Sequence, residues 1–173
     1  VWITNRYSRQ LVHKWRSEEQ AILVGTQTVI DDNPKLDVRD WMGNNPVRII
    51  LDQKNRIAEN SQVFDNQTKT IVFSKAATNI NKENLIFDTV DFEKNIASQV
   101  ADAIYKYQIQ SVIIEGGRQT LQTFIDANLW DEARVFKGNI LFKEGTKAPT
   151  LSGSYLEKHL IGQDELIILR NHD

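Results

Sequence analysis

Short, uninterrupted apolar segments recur along the chain and alternate with segments of helical periodicity. Strands that read as continuous apolar runs are covered on both faces, which is typical of parallel sheets enclosed by helices. The runs are Ala21–Gly25, Arg48–Asp52, Thr70–Ser74, Leu85–Phe87, Ser111–Glu115 and Leu166–Leu169. This alternation restricts the chain to few architectures, because each buried strand needs a layer on either side.

Three segments carry apolar side chains at helical spacing, namely residues 8–19, 92–107 and 118–129. Strand following helix in the middle of the chain predicts right-handed crossovers and parallel pairing, with hairpins expected near the C-terminus. We therefore predict an α/β fold with a mostly parallel central sheet flanked by helices. The Thr-rich residues 26–28 are interpreted as a turn, and the polar residues 54–68 as a surface excursion.

The 173 residues match one domain, and we predict a single domain over residues 1–173. A net charge of -2 argues against a nucleic-acid or anionic membrane partner. No apolar run approaches the roughly 20 residues of a membrane span, and no secretion signal is present, so we expect a cytoplasmic protein. The absence of cysteine excludes disulfides, thiolate nucleophiles and Cys-ligated metals. Because the chain opens on Val1 without an initiator Met, we expect that an upstream segment is missing.

The strongest local motif is an apolar strand that ends in Glu115, followed by Gly116, Gly117 and a helical segment. Glycines at such a turn let a ligand approach the backbone, and the helix start offers free N–H groups to an anion. The motif therefore indicates a phosphate cradle, with a plain tight turn as the alternative. A carboxylate at the end of a buried strand also needs a donor or a ligand, which favours a functional role for Glu115.

Two further features carry chemistry of their own. Asp31 and Asp32 precede Asn-Pro and have no histidine at ligand spacing, so we interpret them as turn carboxylates and expect no metal site. Arg16 lies beside the apolar stripe of the first helix, and Arg39 follows a short apolar segment. Two half-buried arginines near one strand end would bind an anion; surface ion pairing is the alternative. His13 is interpreted as a residue that packs or is solvated on its helix face.

The ordered set of segments resembles the pyrimidine reductase domain of riboflavin biosynthesis, the domain that follows the deaminase in the bifunctional deaminase-reductase. The matching segments are residues 2–4, 12–17, 25–39, 46–52, 114–117 and 129–132. The resemblance implies a dihydrofolate-reductase-like fold with a mixed, mostly parallel sheet. It also implies NADPH as cofactor and 5-amino-6-(5-phosphoribosylamino)uracil as the substrate that is reduced to the ribitylamino form.

The resemblance assigns site residues by position. The implied substrate-binding residues are Arg16, Leu36, Arg39 and Glu115, with Glu115 orienting the substrate. The implied cofactor-binding residues are Trp2, Thr28, Asp32, Gln53, Gly117, Arg118, Gln119, Thr120, Leu121, Gln122 and Thr123. No metal and no covalent nucleophile is implied, since the cofactor carries the reduction.

The resemblance further implies a homodimer and a parent chain with an N-terminal deaminase domain. The family's first strand, with its Ser-Leu-Asp-Gly type segment, is absent, so we expect the central sheet to lack its N-terminal strand. The deaminase's His-Ala-Glu and Pro-Cys-x-x-Cys motifs are absent as well. Two other functions stay open: a reductase of the same fold with a pteridine-type substrate, and a non-catalytic cofactor-binding or assembly module.

Overall fold

The computed structural model describes residues 3–78, 80–140 and 144–172. Its helices and strands follow in the order α1 (Arg6–Glu18), β1 (Ala21–Gly25), α2 (Thr26–Asp32), β2 (Val47–Leu51), a 3-10 turn (Gln62–Phe64), β3 (Thr70–Ser74), β4 (Leu85–Thr89), α3 (Ile96–Lys106), β5 (Val112–Gly116), α4 (Arg118–Asp126), β6 (Glu132–Lys137), β7 (Ser154–Ile161) and β8 (Asp164–Arg170). All six predicted strands and all three predicted helices are present, with ends that differ by a few residues.

The central sheet has five parallel strands in the order β4-β3-β2-β1-β5. Every residue of β1 and β3 is buried, which confirms the prediction of strands covered on both faces for these two runs. The strands β4 and β5 at the two edges of the sheet are mostly half-buried, and the run at residues 166–169 lies in the antiparallel strand β8. In the part of the chain that the structure describes, the outer edge of β5 pairs with no strand. The antiparallel strands, expected as part of a mixed central sheet, instead form a separate three-stranded sheet in the order β6-β8-β7.

Alternate residues of the strands pack into two cores. Leu23, Ile49 and Phe73 pack against α3 and α4, with Val100 and Phe124 as central contacts. The other core joins Val24, Ile50 and Val72 to Val29 of α2 and to residues 57–64. The interpretation of residues 54–68 as a surface excursion is therefore wrong in part, since Ile57, Val63 and Phe64 cover this face of the sheet.

The second sheet packs against α1 through aromatic contacts. The ring of Trp15 lies 5.6 Å from that of Phe136 on β6, and the guanidinium of Arg134 lies 4.6 Å above the Trp15 ring. Buried Asp164, at the start of β8, accepts hydrogen bonds from the Asn5 backbone N–H at 2.7 Å and from the Ser8 hydroxyl at 2.6 Å. Both ends of α1 are thus fixed to the antiparallel sheet.

The segment between β1 and Asn33 differs from its sequence interpretation as a turn. It forms the seven-residue helix α2, in which only Val29 is buried.

No helix among residues 3–78, 80–140 and 144–172 is long and apolar enough to span a membrane.

Candidate active site

The order of the strands reverses at the carboxyl ends of β1 and β5. β1 pairs with β2 on one side and with β5 on the other, because the chain runs outward from β1 through β2, β3 and β4 and then returns to place β5 on the opposite side of β1. Open α/β sheets bind ligands in the crevice at such a point. A register shift sets Val24 opposite Gly116, and a Cβ atom on Gly116 would lie 2.6 Å from the Cβ of Val24. Gly116 therefore permits the close approach of the two strands at the base of the crevice.

The turn into α4 forms the wall of this crevice. Gly117 has φ +75°, a conformation that L-residues rarely adopt, and α4 begins at the next residue. A Cβ atom on Gly117 would lie 3.3 Å from the Thr28 hydroxyl and 3.8 Å from the Thr120 hydroxyl. The turn thus brings together two hydroxyl groups, an open backbone and the positive end of α4, which is the donor set that phosphate groups require.

Asp52 orders the neighbouring strand end and was not singled out by the sequence analysis. Its buried carboxylate accepts hydrogen bonds from the Thr26 hydroxyl at 3.1 Å and from the Ile57 N–H at 3.0 Å. Thr26 also donates to the Leu51 carbonyl at 2.7 Å, which fixes the start of α2 on β2. A carboxylate directly after a buried strand is the signal that pointed to Glu115, and it applies equally here.

Arg16 and Glu115 form a bidentate ion pair between α1 and β5. The Nε atom of Arg16 lies 2.7 Å from Oε1, and Nη2 lies 2.5 Å from Oε2. The two side chains are only 13% and 19% exposed. Burial alone would lower the pKa of Arg16, but the hydrogen bond and charge of Glu115 outweigh it and raise that pKa. Arg16 is therefore the donor that the buried-strand carboxylate requires, and its raised pKa keeps it charged.

Arg39 lies on the segment that follows β1 and α2, which we name the Arg39 loop (residues 37–43). Its side chain is 52% exposed and pairs with Asp37 at 3.0 Å. The expectation of two half-buried arginines thus holds for Arg16 only. A groove of about 590 Å³ beside the loop is lined by Gln10, Arg39, Asp40, Trp41 and Met42. This groove leaves the guanidinium of Arg39 accessible to a ligand.

Leu36 has an unusual position for a substrate-binding residue. Its side chain is buried in the core that contains Val29 and Ile50, while its backbone has φ +55°. Such a conformation is uncommon for a branched apolar residue. A ligand contact by Leu36 would therefore come from its backbone.

The remaining residues assigned to the cofactor fall into separate groups. Thr28, Gly117 and Thr120 lie together. In the first turn of α4, Arg118 and Gln119 are exposed and Leu121 is half-buried. Gln53 lies just after the end of β2, where its backbone carbonyl accepts a hydrogen bond from the backbone N–H of Lys75 at 3.1 Å. Asp32 is exposed at the far end of α2. Trp2 lies outside the described residues.

Two side chains of α4 are already engaged within the protein. The Gln122 amide exchanges two hydrogen bonds with the backbone of Thr150, at 2.8 Å and 3.2 Å. The Thr123 hydroxyl donates to the Gln119 carbonyl one turn earlier, at 2.8 Å. These residues support the helix and its contact with residues 144–150. Over the described ranges, no three His, Asp or Glu side chains are grouped as metal ligands would be.

Comparison with known proteins gives a consistent set of relatives. The family model of the RibD C-terminal domain matches residues 1–166. The riboflavin biosynthesis protein RibD of Bacillus amyloliquefaciens is 32% identical over 159 residues, covering 87% of this chain and 42% of that protein. The 2,5-diamino-6-ribosylamino-4(3H)-pyrimidinone 5′-phosphate reductase of Archaeoglobus fulgidus is 27% identical over 91% of this chain and 80% of that protein.

A solved structure from Thermotoga maritima superimposes with a TM-score of 0.87 at 26% identity, covering 99% of this chain and 50% of that one. It is a diaminohydroxyphosphoribosylaminopyrimidine deaminase/5-amino-6-(5-phosphoribosylamino)uracil reductase. The chain spans about half the length of the RibD proteins that it matches. The similarity confirms the dihydrofolate-reductase-like α/β fold that the sequence resemblance implied.

Proposed function

The chain belongs to the family of RibD C-terminal domains, and we propose that it reduces 5-amino-6-(5-phosphoribosylamino)uracil to 5-amino-6-(5-phosphoribitylamino)uracil with NADPH, as a step of riboflavin biosynthesis. The observation that carries the proposal is the ion pair of Arg16 with Glu115 beside a phosphate-type cradle at Gly117. An anionic cofactor would meet the helix start at this cradle, and the adjacent Glu115, held by Arg16, would face the substrate.

The residues around Gly117 fit a nicotinamide dinucleotide. Because residue 117 is a glycine and has no Cβ atom, the space beside the Thr28 hydroxyl stays open. A Cβ atom there would lie 3.3 Å from that hydroxyl. The N–H groups at the start of α4, with Thr28 and Thr120, would hold the phosphates, and Gln53 would contact the cofactor from the end of β2. When bound, the reduced nicotinamide supplies the hydride.

The substrate would lie across Glu115 and the Arg39 loop. A carboxylate has about four acceptor positions, and Arg16 occupies only part of them, so Glu115 keeps the capacity to accept N–H groups of the pyrimidine. Arg39 would meet the 5′-phosphate, because a guanidinium fork matches phosphate oxygens. The backbone at Leu36 would close this side of the site.

The chain's own work in this reaction is binding and orientation. The ribosylamine opens when its N–H proton moves to the ring oxygen, which leaves an imine at C1′. C1′ then accepts a hydride and the nitrogen accepts a proton from solvent, so atoms and charge balance. Glu115 holds the pyrimidine and Arg39 holds the phosphate, and together they fix C1′ toward the crevice.

We also propose that the protein acts in the cytoplasm as a homodimer, with a deaminase domain in its parent chain. β7 supports the dimer, since it is an edge strand of its sheet and exposes Tyr155, Leu156 and Leu160. The Bacillus and Thermotoga relatives support the fused deaminase, since this chain covers only about half of each.

A substrate-dependent assay of NADPH oxidation tests the proposed function. We expect oxidation with the phosphoribosylaminouracil and a product heavier by two hydrogen atoms. Parallel reactions should contain dihydrofolate and the diaminopyrimidinone on which the Archaeoglobus relative is named to act. Oxidation with dihydrofolate alone would favour a pteridine-type reductase, and oxidation with the diaminopyrimidinone alone would place the reaction before deamination. NADPH binding without any turnover would favour a non-catalytic module.

The Arg39→Ala variant tests the phosphate contact. We expect the KM for the phosphorylated substrate to rise by a factor equivalent to roughly 1.5 to 3 kcal/mol of binding free energy, the value of a charged hydrogen bond. The KM for NADPH should change little. Arg170→Ala, at an exposed arginine at the end of β8, is the matched control. An equal increase of both KM values would instead indicate a structural role for Arg39.

A further inference from the structure

A buried histidine lies between α1 and the Arg39 loop and has no role in the proposed chemistry. His13 is only 4% exposed. Across the interface between α1 and the Arg39 loop, the His13 ring faces the backbone N–H of Arg39 and the carboxylate of Asp40. A buried imidazole with polar neighbours is held in one orientation by the hydrogen bonds that it makes.

The contacts of His13 converge on Arg39 and the residue after it. The Nδ1 atom of His13 accepts the backbone N–H of Arg39 at 3.4 Å, and Nε2 lies 3.7 Å from the Asp40 carboxylate. Three residues further along α1, Arg16 donates to the Asp37 carbonyl at 3.2 Å. Residues three apart share a helix face, so one face of α1 holds the loop at its start and at its functional arginine.

The contact with Arg39 depends on the protonation of the ring. Nδ1 accepts a hydrogen bond only in the neutral imidazole, with the proton on Nε2 directed toward Asp40. Burial and the charges of Arg16 and Arg39 lower the pKa of His13, while Asp40 and the Asp37 carbonyl act in the opposite direction. The balance keeps the ring in the form that can accept from Arg39.

We propose that His13 is a positioning residue for the substrate phosphate: its imidazole fixes the backbone of Arg39, and with it the direction in which the guanidinium leaves the loop. The inference rests on the proposed function, in which Arg39 meets the 5′-phosphate. A side chain that only filled space would need no acceptor at the Nδ1 position, and an apolar replacement would serve equally well.

Steady-state kinetics of three variants test this role. His13→Leu removes the acceptor and should raise the KM for the phosphorylated substrate roughly two- to tenfold, the effect of one net hydrogen bond, with an unchanged KM for NADPH. His13→Asn restores an acceptor near Nδ1 and should bring the KM back toward that of the wild type. His172→Asn, at an exposed histidine near the end of the chain, is the matched control.

A double-mutant cycle identifies the path of the effect. If His13 acts through Arg39, adding His13→Leu to Arg39→Ala should raise the KM no further. A full additional effect in that background, or an equal effect on NADPH, would overturn the inference while the proposed function stands. If Arg39→Ala alone leaves the KM unchanged, the phosphate assignment fails, and the role of His13 fails with it.

The pH dependence gives a readout that packing alone would not change. In the wild type the KM should rise as the pH falls through the pKa of His13, which burial and the nearby arginines hold below its ordinary value of 6.5, because protonation removes the acceptor. The substrate phosphate also titrates, at about pH 6, and it does so in every variant. The informative quantity is therefore the KM of the wild type divided by the KM of His13→Asn at each pH. A ratio that does not change with pH would overturn the inference. This test does not need His13→Leu, so it stands even if that variant fails to fold.

Discussion

Arg16 and Glu115 are 99 positions apart in the chain and meet in a bidentate geometry. The sequence pointed to each of them separately, because a carboxylate ended a buried strand and an arginine lay beside an apolar stripe. Their pairing could not be predicted from spacing, since it depends on how α1 lies against the open side of β5. The same limit applies to His13, which reads as a packing residue until the Arg39 loop is in place.

Replacing Glu115 by Gln should affect both stability and activity. The variant leaves Arg16 mostly buried without its counter-charge, and we expect the free energy of unfolding to fall by about 1.5 to 3 kcal/mol. The kcat/KM for the substrate should fall as well, since the Gln amide has one acceptor oxygen in place of the carboxylate's two. Urea titration and steady-state kinetics measure the two effects. Glu18→Gln, which breaks an exposed pair with Lys14, is the control, and equal stability of the two variants would contradict the prediction.

Asp164 should make the stability depend on pH. Burial would raise its pKa, but hydrogen bonds from Ser8 and Asn5 outweigh burial and lower it. The unfolded chain therefore binds the proton more readily, so the contribution of Asp164 is complete above its ordinary pKa of 3.8 and is lost as the pH falls through the folded-state value.

Thermal unfolding over a pH series checks this prediction. Ser8→Ala should lower the stability at neutral pH by about 1 kcal/mol, the value of one hydrogen bond, and should reduce the loss on acidification. An acid loss of the same size in Ser8→Ala and in the wild type would show that Asp164 is not its source.

The turn between β5 and α4 is the element whose structure was clearest from the sequence. Strand, Gly116-Gly117 and helix were all predicted, because Gly-Gly after an apolar run has few other solutions. By contrast, α2 was read as a turn because only Val29 of its seven residues is buried, which leaves no helical apolar stripe to detect. β7 was missed for a similar reason, since seven of its eight residues are exposed and its sequence shows no buried run.

Gly117→Ala should weaken the cradle. The φ of +75° would cost an L-residue about 1 to 3 kcal/mol, and the added methyl group would lie 3.3 Å from the Thr28 hydroxyl. We expect a higher Kd for NADPH, measured by fluorescence titration, and a lower Tm. Gly145→Ala is the control, because a Cβ atom there meets nothing within 4 Å. An unchanged Kd would mean that the dinucleotide lies elsewhere.

At the scale of the whole molecule, the antiparallel sheet presents an exposed apolar edge. Leu160 is 76% exposed and Tyr155 62%, both on β7. We expect the protein to be a dimer by light scattering, and Leu160→Lys to shift it toward the monomer because edge lysines oppose strand pairing. Tyr105→Lys, at an 81% exposed position on α3, should leave the mass unchanged. A monomeric wild type would contradict the proposed dimer.

The contact between α1 and β8 has a consequence for the order of folding. Asn5 and Asp164 are 159 positions apart, and the Asn5 amide also reaches the carbonyl of Ile161. Loops of that length close late, because their entropy must be lost before the contact is gained. During translation the parallel strands can assemble as they leave the ribosome, whereas α1, with Arg16 and His13, acquires its final anchor only after β8 has been synthesised. The substrate side of the crevice therefore matures later than the parallel sheet that supports it.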